Sequence, residues 1–304
     1  MSKETTENDF RCGYVALAGR PNTGKSTLLN HLLGQKLSIT SRKPQTTRQH
    51  LFGIKTTKTE QIIYVDTPGI HENARRAINR YMNRTAYSAL DSVHVIVFLI
   101  EALHWTSEDE MVLKRIKASG IPAILAINKV DRLEDKNKLL PFIQNVSGKM
   151  DFIQIIPISA IKGTNLPELE AHVRELLDVS EPFYPADQIT DRSQRYLAAE
   201  LVREKLMRML GQELPYDLSV EIERFKEEKG RIHVHALIWV ERGNQKAIVI
   251  GEKGSRLKNV GTQARLDMEK LFHKKVFLEV WVKVKEGWSD DERVLQSLGY
   301  KDEI

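Results

Sequence analysis

The sequence predicts two folded domains in one chain of 304 residues: a doubly wound α/β domain with a mostly parallel sheet, followed by a small α+β domain. Three features predict this. Short runs rich in Val and Ile alternate with amphipathic stretches over the first 180 residues, the signature of a parallel sheet covered on both faces. A proline-containing break follows, and beyond it the order of helical and strand-like patterns changes.

In the first part, the apolar runs at 14–18, 62–65, 93–100, 123–127 and 152–158 read as strands, and 107–118 and 166–177 as helices between them. Two strand-like runs about a polar turn within 51–65 suit a hairpin, hence one antiparallel edge strand. Pro182 and Pro185 restrict themselves and their predecessors, so 181–192 reads as a linker between domains at 1–180 and 193–304. After it, Asp191 or Ser193 caps a helix running to about residue 210, with Ala199, Val202, Leu206 and Met209 along one face. Strands at 218–225 and 232–240 follow, with Gly230 near their turn. Next come a short helix, a glycine-bounded loop, a helix striped by Leu257, Val260, Ala264, Met268 and Leu271, and a strand at 276–284. The order is α-β-β-α-α-β.

Composition narrows the function classes. With 41% hydrophobic and 29% charged residues, the chain is neither collagen-like nor wholly disordered. No apolar run approaches the roughly 20 residues of a spanning helix. The polar start carries no export signal, and the single cysteine, Cys12, excludes an internal disulfide and fits a reducing cytosol. A cytoplasmic protein is expected. The net charge is +5, unevenly spread: residues 242–285 hold eleven basic and four acidic residues, whereas 286–304 hold two basic and six acidic. A basic segment of this kind suits a polyanion.

The first chemical motif is Gly19-Arg20-Pro21-Asn22-Thr23-Gly24-Lys25-Ser26, which matches the phosphate-loop pattern G-x-x-x-x-G-K-[ST] and is followed by Thr27. Its glycines let backbone N–H groups face phosphate oxygens, Lys25 neutralises the β and γ phosphates, and the Ser26 hydroxyl ligates Mg²⁺. The following helix adds its positive N-terminal dipole. Asp66-Thr67-Pro68-Gly69 then follows a strand. Asp66 is expected to hold Mg²⁺ through water, and the Gly69 N–H to meet the γ-phosphate. Asn128-Lys129-Val130-Asp131 follows another strand. The Asp131 carboxylate suits the N1–H and 2-amino donors of guanine, a pair that adenine lacks. Asn128 and the Lys129 stem pack the base, and Ser159-Ala160 supplies backbone to the guanine oxygen. In this order after these strands, the motifs describe a guanine-nucleotide site.

Between the first two motifs lies Pro44-Gln45-Thr46-Thr47-Arg48. A threonine here can hold Mg²⁺ while the γ-phosphate is present and release it after hydrolysis, an order–disorder switch. Thr47 is preferred, although spacing does not separate it from Thr46. The candidate catalytic residues are therefore Lys25, Thr47, Asp66 and Gly69. The residue after the D-x-x-G motif is Ile70, where Ras-like enzymes carry a water-orienting Gln, so slow intrinsic GTP hydrolysis is expected. Asn22 suggests a K⁺ ion against the phosphates as compensation, and His71 is a lone candidate for orienting water.

The second domain carries Gly251-Glu252-Lys253-Gly254. A G-x-x-G loop between helices is how KH domains admit a nucleic-acid backbone, with a groove for about four unpaired nucleotides. Lys246, Lys253, Arg256, Lys258 and Arg265 surround it, and the strand order fits the type II KH arrangement. Gly251, Glu252, Lys253, Gly254, Arg256 and Lys258 are the candidate RNA-binding residues.

Taken together, these motifs resemble the Era family of bacterial GTPases over nearly the whole chain. The likeness extends to Asp191-Arg192-Ser193-Gln194-Arg195, Glu221-Ile222-Glu223-Arg224-Phe225 and Trp281-Val282-Lys283-Val284-Lys285, which other GTPases with this phosphate loop lack. A hydrophobic residue at the position of Ile70 is also similar to that family. The resemblance implies a P-loop GTPase domain joined to a type II KH domain in a monomer. It implies binding to the 3′ end of 16S rRNA in a GTP-dependent way and assistance in 16S rRNA processing and 30S ribosomal subunit biogenesis. Peripheral association with the inner membrane is implied as well. Two other readings stay open: a membrane-associated cell-cycle signalling GTPase, and an RNA-binding assembly factor in which nucleotide is only structural.

Overall fold

The computed structural model describes residues 10–41, 43, 46–70, 76–210, 218–298 and 300. Pro44, Gln45 and His71 lie outside the described residues. The described residues divide into two compact units, one made of 10–38, 47–70 and 82–191, the other of 39–46, 76–81 and 192–300.

The first unit is a doubly wound sheet. Its strands are β1 (Arg11–Ala18), β2 (Leu51–Thr56), β3 (Glu60–Asp66), β4 (Val95–Glu101), β5 (Ala123–Asn128), β6 (Gln154–Pro157) and the two-residue β7 (Asp178–Val179). The order is β2-β3-β1-β4-β5-β6, parallel except for β2 against β3, with β7 adding a short antiparallel pairing to β1. Helices α1 (Lys25–Leu32), α2 (Ala77–Asp91, from Met82 onward), α3 (Ser107–Ser119), α4 (Leu139–Ser147) and α5 (Leu166–Glu175) accompany it. Because β4 and β5 are buried along almost their whole length, they read as continuous apolar runs rather than alternating ones. One apolar cluster joins Ala16, Phe98, Ile100, Leu125 and Ile127 of the sheet to Val112, Leu113 and Ile116 of α3. Helix α3 starts at a capping box: the Thr106 side chain accepts from Asp109 N, and the Asp109 carboxylate accepts from Thr106 N.

Residues 181–191 do not hang free. Ile54 N donates to Ile189 O at 2.9 Å, and Phe52 N to Asp191 Oδ1 at 2.9 Å. The buried Gln61 amide exchanges two hydrogen bonds with the Tyr184 backbone, at 2.8 and 2.9 Å. The chain thus covers the open edge of β2, which would otherwise offer unpaired backbone groups.

The second unit contains α6 (Gln194–Met209), β8 (Leu218–Glu228), β9 (Arg231–Val240), α7 (Gly243–Ile250), α8 (Ser255–Phe272), β10 (Lys275–Val284) and α9 (Glu292–Ser297). Its sheet order is β10-β9-β8, with β8 antiparallel and β10 parallel to β9, and the α-β-β-α-α-β order is as expected. Ser193 caps α6, its hydroxyl accepting from Tyr196 N, while Asp191 is engaged with Phe52. The expected narrow apolar stripe on α6 is wrong in detail. Ala199 and Met209 are half-buried, whereas Leu197, Ala198, Leu201, Val202, Leu206 and Met207 are buried together with Arg203, Glu204 and Lys205.

Those buried charges have partners. Arg203 pairs with Glu200 and donates to the Thr46 carbonyl. Burial works against the Arg203 charge, but Glu200 more than offsets it and keeps the guanidinium's pKa above its ordinary value. Glu204 accepts from Thr40 N at 3.0 Å and from Arg208, which also donates to Thr40 O. These hydrogen bonds hold Thr40 and Thr46 against α6. Similarly, Ala77 N donates to Asp290 Oδ1 and Ile78 N to Ser289 O, beside the fully buried Trp288.

Candidate functional site

The phosphate loop spans the gap between the end of β1 and the start of α1, where the strand order reverses on either side of β1. That is the place at which open α/β sheets bind ligands. Gly24 has φ 107°, and a Cβ there would sit 2.2 Å from Asn128 Nδ2, so both conformation and space demand glycine. Asn128 Nδ2 donates to Thr23 O at 2.7 Å, tying the base loop to the phosphate loop. The D-x-x-G turn approaches as closely: a Cβ on Gly69 would lie 2.8 Å from Pro21 N.

Lys25 is buried and donates to the carbonyls of Gly19 (2.8 Å) and Arg20 (2.9 Å). Burial lowers its pKa to about 8, with Asp66 acting in the opposite direction. Asp66 is fully buried, and burial raises its carboxyl pKa against the pull of Ser38 and Ser26. Its Oδ2 accepts from Ser26 Oγ at 2.8 Å, Ser38 Oγ at 2.7 Å and Thr47 Oγ1 at 3.4 Å. Ser26 Oγ and Thr47 Oγ1 lie 3.0 Å apart, whereas the Thr46 hydroxyl donates to Lys43 O and meets Ser41. The other Asp66 oxygen, Oδ1, is buried with no hydrogen-bond partner among the described residues. Two hydroxyls and an unsatisfied carboxylate oxygen form a hard, all-oxygen donor set, the chemistry Mg²⁺ takes.

At the base end, Asp131 Oδ1 accepts from Ser159 Oγ at 2.5 Å, which orients the carboxylate. The Ala160 N–H, expected to meet the guanine oxygen, is donated to Asn128 Oδ1 at 2.9 Å. Lys129 adopts a left-handed conformation, φ 68°, a strain of about 1–3 kcal/mol for a non-glycine residue. Its N–H donates to Asn128 Oδ1 and its ammonium to Glu101 Oε2 at 2.7 Å. Asn22 is exposed and also left-handed, φ 63°. Ile70 is packed into the apolar cluster that contains Phe98 and Ile100, so that position faces core rather than water.

Sequence reasoning missed Glu101, Asp109, Ser38 and Asn30. Asn30 Oδ1 accepts from both Leu37 N and Ser38 N, and its amide donates to Ser38 O, which explains how Ser38 is delivered to Asp66. None of the four belongs to a contiguous motif.

In the second unit, the G-x-x-G loop stands between α7 and α8 as a single short turn. Glu252, Lys253 and Lys258 are exposed. Lys253 is left-handed, φ 48°. Arg256 turns back to donate to the Ile248 carbonyl, and Arg265 pairs with Glu269 at 2.9 Å. Lys246, Lys253 and Lys258 are thus exposed, whereas Arg256 and Arg265 are engaged within the unit.

Comparison with known proteins agrees with both halves. Residues 14–129 match the family described as 50S ribosome-binding GTPase, and 213–289 match the KH domain. The chain is 60% identical over 292 residues to GTPase Era of Pseudomonas syringae pv. tomato, covering 96% of this chain and 97% of that one. It is 59% identical to GTPase Era of Pseudomonas aeruginosa, covering 96% of each. Among solved structures, it resembles an Aquifex aeolicus Era variant bound to GDP and AlF4⁻, with TM-score 0.93, 40% identity and coverage of 96% and 99%. The same values hold for Era in complex with MgGDPNP and nucleotides 1506–1542 of 16S ribosomal RNA. A nucleotide site of this geometry, a KH domain after it and identity across nearly the full length make this chain a member of the Era family of GTPases.

Proposed function

We propose that this GTPase is a switch that binds the 3′ end of 16S rRNA through its KH domain and assists 16S rRNA processing and 30S subunit biogenesis, with GTP binding and hydrolysis controlling the RNA surface. The nucleotide domain is taken to end near residue 180 and the RNA domain to begin near 193. The observation that carries the reading is the division of neighbouring residues. Thr47 stands at the Ser26–Asp66 oxygen cluster, while Thr46 and Thr40 are held by Arg203, Glu204 and Arg208 of α6. The relative bound to MgGDPNP and 16S rRNA nucleotides 1506–1542 supports the pairing of ligands.

In this reading Lys25 and the loop N–H groups meet the β and γ phosphates, and the Gly69 N–H meets the γ-phosphate. Ser26 and Thr47 would hold Mg²⁺ through their hydroxyls and Asp66 through water; when bound, that ion screens phosphate charge during transfer. Asp131, held by Ser159, accepts from guanine N1–H and the 2-amino group. With Ile70 in the core, hydrolysis is slow; Asn22 would hold a K⁺ ion, which would supply the positive charge that an arginine finger supplies elsewhere. Equal hydrolysis rates in KCl and NaCl would remove K⁺ from the scheme.

The exposed loop gives the direct test of the RNA assignment. Changing Glu252→Asp and Lys253→Asp together is expected to abolish binding to a single-stranded 16S 3′-end RNA at fixed salt while GTP hydrolysis persists. Undiminished RNA binding by that variant would place RNA elsewhere. The protein is read as a cytoplasmic monomer. Peripheral inner-membrane contact, resting on the basic segment 242–285, is checked in the same assay by retention on anionic liposomes; no helix among the described residues is long and apolar enough to cross a membrane.

A further inference from the structure

We infer that Glu101, the last residue of β4, is a positioning residue for guanine nucleotides: its carboxylate ties the base loop to the phosphate loop by holding Lys129 and Arg20 together. The inference rests on the guanine-nucleotide reading of the site and adds a residue that no motif contains.

The sheet explains why a carboxylate at this position reaches both loops. In the parallel pairing of β4 with β5, Glu101 is the register partner of Asn128, and Ala102 N donates to Asn128 O at 2.9 Å. The side chain therefore emerges beside the start of the base loop, where Glu101 Oε2 accepts from the Lys129 ammonium at 2.7 Å. The same oxygen receives Arg20 Nη2 at 3.4 Å. Arg20 is held from its other side by Asp109, whose Oδ2 accepts from Nε at 3.1 Å. Asp109 is fully buried and is fixed in turn by the Thr106 N–H and hydroxyl, at 3.0 and 2.9 Å. All four charged side chains are largely shielded from solvent, so their interactions are weakly screened.

Two consequences follow for the ligand. The Lys129 stem lies across the base in the guanine reading, and anchoring its ammonium at the far end fixes a side chain that otherwise has much rotamer freedom. At the phosphate end, the Arg20 carbonyl accepts from Lys25 Nζ and from Thr23 Oγ1 at 3.0 Å, so anchoring the Arg20 guanidinium also fixes the turn that presents Lys25. Two cations facing two carboxylates keep the cluster neutral, and Arg20 is committed to those carboxylates rather than to a transferring phosphoryl group. The carboxyl of Glu101 sits below its ordinary pKa range; burial opposes this, and Lys129 and Arg20 outweigh it.

None of these contacts involves a γ-phosphate, so the tie acts equally on GDP and GTP. The test is the dissociation rate of fluorescent GDP and of a fluorescent non-hydrolysable GTP analogue from the full chain carrying Glu101→Gln, Lys129→Met or both. For Glu101→Gln the expected result is an increase of about tenfold in both rates, the size of one charged hydrogen bond. Adding it to Lys129→Met should bring much less than a further tenfold, because the Lys129 link is already broken and only the longer 3.4 Å contact with Arg20 remains to be lost. A general loss of structure would instead make the effects add and would lower the unfolding temperature of the nucleotide-free protein in step. Unchanged rates for Glu101→Gln, or fully additive effects, would overturn the tie. The wild-type chain measured alongside separates the two readings: failure of the wild type to bind guanine nucleotides would remove the site itself, whereas an unaffected Glu101→Gln variant would remove only this role.

Discussion

In the proposed guanine-nucleotide reading, Asp131 would bear the choice of base, and its geometry makes that role testable. Its carboxylate is an acceptor at both oxygens and is oriented by the Ser159 hydroxyl at 2.5 Å. Replacing it with Asn puts an amide donor where guanine also presents a donor, while the 2-oxo group of xanthine presents an acceptor. Asp131→Asn is therefore expected to shift preference from guanine to xanthine nucleotides by about tenfold or more, read by competition against labelled GDP. A retained guanine preference would refute the base assignment. Glu101 illustrates the opposite dependence on charge. Its carboxyl, facing Lys129, Arg20 and His104, has its pKa depressed by folding. Its contribution to stability is thus complete at neutral pH and is lost only as the pH falls through that lowered value.

At this scale legibility followed contiguity. The phosphate loop, D-x-x-G and N-K-x-D segments each pack several chemical requirements into four to eight neighbouring residues, so they were readable directly. Glu101 and Arg20 are 81 positions apart, and Thr40 and Glu204 are 164 apart. Only the topology brings such pairs together, and nothing in a linear pattern marks them.

Among elements, the buried parallel strands were the most readable, because β4 and β5 need apolar residues on both faces. The edges shifted by one to three residues: β1 begins at Arg11 rather than 14, and β4 ends at Glu101 rather than 100. That last residue is the one whose carboxylate accepts from both Lys129 and Arg20. The hairpin between β8 and β9 was placed correctly near Gly230. Its Lys229-Gly230 turn has two left-handed residues, φ 49° and 74°, which match the twist of paired strands. Helix α6 was located but misjudged, since helical periodicity assigns charged residues to solvent. Arg203, Glu204 and Lys205 are buried because segment 39–46 and Asp267 satisfy them. Helix α2 escaped notice although Ile78, Tyr81, Met82, Ala86 and Leu90 are buried at helical spacing; the polar residues between them obscured the stripe.

At the scale of the whole molecule, the division of the chain does not follow the order of the sequence. Segments 39–46 and 76–81, which flank Thr47 and follow the D-x-x-G turn, cluster with the residues after 191. A two-domain reading from composition assigns each domain one continuous stretch and cannot see this interleaving. In the proposed reading, loss of the γ-phosphate at Thr47 and Gly69 would act next in sequence to residues of the second unit, Thr46 and Ala77, which are bonded to Arg203 and Asp290. A ligand shifts such an equilibrium only through its different affinity for the two states, so the nucleotide must differ in its grip on Thr47 for RNA affinity to respond.

The most direct measurement is the affinity of single-stranded 16S 3′-end RNA for the chain loaded with a non-hydrolysable GTP analogue and with GDP, at one fixed salt, alongside the same pair for Arg208→Ala. Arg208 is half-exposed and donates to Thr40 O at 3.1 and 3.0 Å, so its loss loosens the hold on Thr40 without opening the core. The account predicts RNA binding about tenfold tighter with the analogue than with GDP, a coupling of the size typical for linked sites, and a smaller ratio in Arg208→Ala. Equal affinity in the two nucleotide states of the wild-type chain would contradict it.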